Sequence, residues 1–115
     1  LAERMGVPCA DDDPAGLICL LEDAPPAGMD MYIRRQLGTI LEQPEPRRQE
    51  LLDTLESWLR CMGNQRRMAR ELHLHYNTVS YRLQQLWVLL AADPADPVKR
   101  LTWETALYLY RYRRA

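Results

Sequence analysis

The 115-residue sequence predicts an all-α fold of about five helices containing a helix-turn-helix. Three observations carry that expectation. Apolar residues recur three and four positions apart in stretch after stretch from Met29 to Tyr110, the spacing of one helix face. No run shows the apolar–polar alternation of an exposed strand, and no internal repeat is present. Finally, Asn64 to Leu90 reads as two helices joined by a tight turn.

The elements follow in order. Residues 1–15 are polar and rich in Ala, Asp and Pro, and read as a loop. The run Asp11-Asp12-Asp13 sits there as solvated charge, since consecutive carboxylates do not converge on one ion. Gly16 to Glu22 is a short apolar element of ambiguous type. Asp23 to Gly28 reads as a Pro-Pro linker. From Met29 or Asp30 to Leu41 the period turns helical, with Met29, Ile33, Leu37, Ile40 and Leu41 on one side. Gln43 to Pro46 stops that helix, because proline lacks an N–H and restricts its predecessor. Residues 47–62 form the next, with Leu51, Leu52, Leu55, Trp58, Leu59 and Met62 as its apolar stripe and Gly63 as its expected C-terminal cap.

Gln65–Leu72 is then a short helix with Met68, Ala69 and Leu72 on one face. Leu74 plugs the corner. Asn77 is expected to cap the second helix, which runs to about Leu90 and buries Val79, Leu83, Leu86 and Leu90. Ala91 to Asp96 is a loop. Asp96 caps a last helix, Pro97 to about Arg113, with Leu101, Ala106, Leu107, Leu109 and Tyr110 apolar and arginines near its end. Trp58, Trp87 and Trp103 lie on or beside apolar stripes and are expected in the core.

Charge is unevenly spread. Residues 1–46 hold nine acidic residues against three arginines, whereas residues 47–115 hold eleven arginines and one lysine against seven acids. We therefore divide the chain into an acidic N-terminal segment, 1–46, and a basic helix-turn-helix domain, 47–115. A basic half with this motif points to a polyanion partner. The chain opens on LAERMGVP without an initiator Met, so segment 1–46 is expected to be the tail of a longer upstream regulatory region. Cys9, Cys19 and Cys61 are odd in number and widely spaced, which fits a reducing cytoplasm rather than a disulfide framework. No apolar run approaches bilayer-spanning length, so no membrane association is expected.

The helix from Asn77 carries a further signal. Asn77-Thr78-Val79-Ser80-Tyr81-Arg82-Leu83 resembles the NTLRYRL signature of the PucR/CdaR family of bacterial transcription regulators. Leu51 to Leu59 resembles that family's LLxTLxxYL helix, Gly63-Asn64 its GN turn, and Met68 to Leu72 its AAxxL helix. Leu37-Gly38 with Ile40-Leu41 resembles its LGxLL segment, and Asp96-Pro97 to Leu109 its closing helix. The resemblance covers about residues 30–113. It implies a C-terminal DNA-binding helix-turn-helix similar to that of the Fis protein, attached to an N-terminal region that binds a small-molecule effector. The sequence departs from the family pattern where Tyr76 and Ser80 stand in place of basic residues and His73 in place of a turn glycine. Neutral hydroxyls replace two cations there, so modest affinity is expected of this domain alone.

The expected DNA-binding residues are Arg66, Arg67, His75, Tyr76, Asn77, Thr78, Ser80, Tyr81, Arg82 and Gln85. Arg82 is the strongest candidate, because its fork can grip a phosphate or a guanine edge; an ordinary ion pair with an acid is the alternative. Thr78 and Ser80 suit phosphate or base contacts, although Thr78 can instead support the cap. Tyr81 is a DNA-facing aromatic or a lid over the core. His75 and Tyr76 stand at the helix entrance, where backbone N–H groups attract phosphate, and Arg66 and Arg67 can clamp the backbone. His73 and His75 form an H-x-H without a third ligand, so no metal and no cofactor is expected. There is no glycine-rich phosphate loop, nucleophile elbow or H-E-x-x-H, and no catalytic residues are assigned. The expected partners are double-stranded DNA and a second copy in a homodimer, with Tyr108, Tyr112 and the Met29–Leu41 helix as candidate contacts. The rival reading is a helical protein-interaction or dimerisation module without sequence-specific DNA binding.

Overall fold

The computed structural model describes residues 24–113, with side chains as far as Arg111. The expected loop at 1–15, the apolar element Gly16–Glu22, Cys9, Cys19 and the side chain of Tyr112 lie outside the described residues. Five α-helices follow one another in what is described, with no strand among them. The all-α expectation with a helix-turn-helix therefore holds.

Helix α1 is Pro26–Leu41 and begins earlier than the periodicity predicts. Pro25 is its N-cap and Pro26 its first residue, so the Pro-Pro pair opens the helix instead of serving as a linker. Proline suits that place, because the N–H it lacks would have no intrahelical partner there. Met29, Ile33, Leu37 and Ile40 are buried against the rest of the chain. That apolar face is spent on the chain's own core, so a dimer contact through this helix would have to use its outer side, where Met31 is exposed.

Helix α2, Arg47–Arg60, buries Leu51, Leu52, Leu55, Trp58 and Leu59 together with Thr54 and Ser57. It stops two residues short of the expected Met62. Met62, not Gly63, takes the first left-handed conformation (φ 55°), and its N–H and that of Gly63 bond back to Leu59 and Trp58. This left-handed closure swings Met62 off the stripe and leaves it 71% exposed. Gly63 continues the reversal at φ 79°, and a Cβ placed there would lie 3.4 Å from Trp58 Nε1.

Helix α3 is Gln65–Leu72, α4 is Tyr76–Leu90 and α5 is Pro97–Tyr108, continued by a π-helical turn at Leu109–Arg113. Asp96 caps α5 through a bond from the Val98 N–H at 2.9 Å, as expected. Leu101 does not join the core. It stands 63% exposed, because Trp103, Ala106 and Leu107 fix the inward face and Leu101 lies about 200° round the helix from Trp103.

Trp58, Trp87 and Trp103 pack together and join α2, α4 and α5, Trp58 and Trp103 inside the core and Trp87 half-buried against it. Trp87 stacks on Trp103 at 5.5 Å, while Trp58 meets Trp87 and Trp103 edge-on at 4.9 and 6.2 Å. The Arg100 guanidinium lies over Trp58 at 5.5 Å and adds a cation–π contact. Helix α1 packs on α4 and α5 and is pinned to both. Its Thr39 hydroxyl donates to the Leu89 carbonyl at 2.8 Å, and its Tyr32 hydroxyl to the Thr102 carbonyl at 3.3 Å.

Candidate nucleic-acid interface

The α3–turn–α4 unit is held by local chemistry at each corner. Asn64 caps α3, its side-chain oxygen accepting from the Arg66 and Arg67 N–H groups at 3.1 Å. At the other end His73 is left-handed (φ 57°), its N–H bonds to Arg70 and the next N–H, of Leu74, bonds to Ala69. That pair of bonds is a Schellman closure, with histidine where glycine is usual. Leu74 is then half-buried against the core, the expected plug.

The second cap differs from expectation. His75, not Asn77, is the N-cap of α4, and its Nδ1 accepts from the Asn77 N–H at 3.0 Å. The closure at His73 makes His75 the last extended residue before the helix, so the capping position falls there. Asn77 is thereby freed: its side chain is exposed and forms no hydrogen bond among the described residues.

The predicted residues divide into three groups. Arg66, Arg67, His75, Tyr76, Asn77 and Tyr81 are exposed along the start of α3 and α4. Tyr81 is 62% exposed, so it is no lid over the core, and its hydroxyl accepts from Gln85 Nε2 at 3.0 Å. Thr78, Tyr81, Arg82 and Gln85 line a cleft of about 340 Å³ against Arg47, Glu50 and Leu51 of α2. Ser80 turns inward, its half-buried hydroxyl donating to Gln65 Oε1 at 2.7 Å, and so ties α4 to α3 instead of lying on the free face. Arg82 donates from Nη2 to Glu50 Oε1 at 3.4 Å. Sequence reasoning misses Arg47 and Glu50, because the Arg82–Glu50 contact spans 32 positions and no local pattern announces it. Among the described residues no group of three His, Cys, Asp or Glu side chains could hold a metal ion.

Behind the interface, Glu71 fixes α3 on α2. Its carboxylate accepts from Arg60 Nε, from the Ser57 hydroxyl at 2.6 Å and from the Cys61 thiol at 3.2 Å. The Arg60 bond and then the Ser57 bond pull its carboxyl from an ordinary 4.5 to about 2. Burial, with the bond to Glu71, pushes the Cys61 thiol up. A depressed acid stabilises the fold above its unfolded pKa and loses that contribution as pH falls toward its folded one. Stability is therefore expected to decline between about pH 5 and pH 2, by about 1–2 kcal/mol once solvent screening of this part-exposed group is allowed for. Glu71→Gln should flatten that part of a denaturant-midpoint titration; an unaltered pH dependence would count against the arrangement.

The comparisons with known proteins agree with this geometry. The family model described as the PucR C-terminal helix-turn-helix domain matches residues 51–109, which runs from α2 to the start of the π-helical turn. An uncharacterized protein of Mycobacterium bovis and two of Mycobacterium tuberculosis are each 40% identical to the chain over 47 residues, or 41% of it. The chain spans 11% of the length of these curated relatives. No solved structure matches it.

Proposed function

Because the chain belongs to the family of PucR C-terminal helix-turn-helix domains, we propose that it reads double-stranded DNA sequence-specifically for a bacterial transcription regulator, with α4 in the major groove. At the level of the family, such a domain is the DNA-binding part of a transcription regulator and is typically non-enzymatic. The finer assignment rests on one observation above all: α4 buries Val79, Leu83 and Leu86 while its first two turns turn Asn77 and Tyr81 to solvent. A recognition helix needs this division, with one face held rigid and the other free to meet base edges.

The roles follow from chemistry. Asn77 suits the paired donor and acceptor of adenine, and the Arg82 fork suits the two acceptors of guanine. Tyr76, Tyr81, Thr78 and Gln85 flank them. Arg66 and Arg67, at the N-terminus of α3, and the α4 entrance at His75 face the phosphates and set register. Ser80 supports the α3–α4 angle. One such helix reads few base pairs, so a homodimer on two half-sites follows. Effector binding belongs to the remainder of a longer cytoplasmic protein. No helix among the described residues is long and apolar enough to cross a membrane.

Selection from random duplex DNA at low and moderate salt tests the reading. An enriched motif, with retention that falls steeply as salt rises, is the expected result. Absence of retention even at low salt would favour a protein-interaction module, whose apolar contacts are insensitive to salt.

A further inference from the structure

The cleft between α2 and α4 holds an oddity for a surface that meets a polyanion. Among the described residues lining it, Glu50 is the sole carboxylate, and it stands against Arg82. A negative charge there opposes phosphate binding. The ion pair it makes is part-exposed, with side-chain exposures of 26% for Arg82 and 42% for Glu50, and at 3.4 Å it contributes little to the fold. Glu50 also stands in the first turn of α2, where the helix dipole favours an acid, but that does not explain why it faces Arg82 across the cleft.

Position does. Arg82 lies nearly two turns into α4, on a long side chain with many rotamers. Arg47, also lining the cleft, is held off by its own bond to Gln43 at 3.1 Å. Glu50 takes the Arg82 guanidinium at one nitrogen, leaving the rest of the planar fork without a partner among the described residues. The next carboxylates along that side of α2, Asp53 and Glu56, point to Arg111 at 3.1 and 3.5 Å and do not line the cleft.

We propose that Glu50 is a positioning residue for base readout: it holds the Arg82 guanidinium on the α2 side of the recognition helix, so that Arg82 addresses a base edge instead of the nearest phosphate. This inference rests on the DNA-reading role of α4. Glu50 gives up general affinity for discrimination, since it penalises phosphate-only binding to every sequence while ordering the group that distinguishes one sequence from another.

The test compares the chain with Glu50→Ala, Glu50→Gln and Asp53→Ala, using random-duplex selection and titration of one enriched and one unrelated duplex. Glu50→Ala is expected to lose about fivefold or more of the preference at one base pair while binding the unrelated duplex about twofold more tightly. Glu50→Gln keeps an acceptor at the same reach and should restore part of that preference. Asp53→Ala should leave the preference profile unchanged. A Glu50→Ala profile that gains affinity equally for all sequences would overturn the proposal and leave Glu50 a plain charge. Equal flattening by Asp53→Ala would overturn it as well. Absence of DNA retention by the unsubstituted chain would be a different failure, that of the DNA-binding reading itself, and would take the proposal with it. Should Glu50→Ala lower the melting temperature, the Gln variant decides: retention of part or all of the preference supports positioning, and a profile as flat as that of Glu50→Ala overturns it.

Discussion

Replacing Trp103 with alanine is expected to cost about 3–5 kcal/mol of stability, a large fraction of what a domain of this size has to lose. The ring is 1% exposed and stacks on Trp87 of α4 while meeting Trp58 of α2 edge-on. Truncation removes the largest fully buried side chain and opens a cavity where three helices meet. Close-packed interiors relax only partly around such a void, so much of the space stays open. The loss should appear as a lower denaturant midpoint by circular dichroism, a signal that does not depend on the missing indole. A loss below about 1 kcal/mol would mean that the aromatic cluster is peripheral.

Arg82→Ala has the largest expected effect on binding and little on stability. A well-placed Arg–guanine pair discriminates by about 1–3 kcal/mol, so affinity for the preferred duplex should fall roughly 5- to 150-fold. The lost Glu50 contact is part-exposed, and the melting temperature should scarcely move. The salt dependence separates two modes. If Arg82 reads a base, the preference changes and the salt slope stays. If it grips a phosphate, binding weakens equally on all sequences and the slope falls by about one. A large loss of stability with no selective loss of binding would remove Arg82 from the interface.

Much of this architecture is written in the period of the apolar residues. The bounds of Gln65–Leu72 follow from it directly, and so do the buried sides of α1, α2 and α4. The errors gather at helix ends. Asn77 is a stronger capping residue than His75 by intrinsic preference, yet the cap falls two residues earlier, because the left-handed His73 sets where the extended backbone lies. Glycine at 63 marks a reversal correctly, but the left-handed geometry starts one residue before it, at Met62. Leu101 misleads for another reason: apolar character alone does not say which of two faces packs, and the larger Trp103 decides. In the candidate site, the exposed start of α4 is readable locally. The inward turn of Ser80 to Gln65 and the pairing of Arg82 with Glu50 are not, since each depends on how separate helices come to lie side by side.

Helix α1 has a mechanical consequence. It is a rod of sixteen residues, about 24 Å long. Tyr32, nearer one end, is fastened to α5, and Thr39, near the other, to the final turn of α4. A twist or pull applied at Pro26 has no slack loop in which to dissipate before it reaches those two anchors. The same rod that completes the core is thus a stiff strut running from the Pro-Pro start of α1 to the last turn of α4.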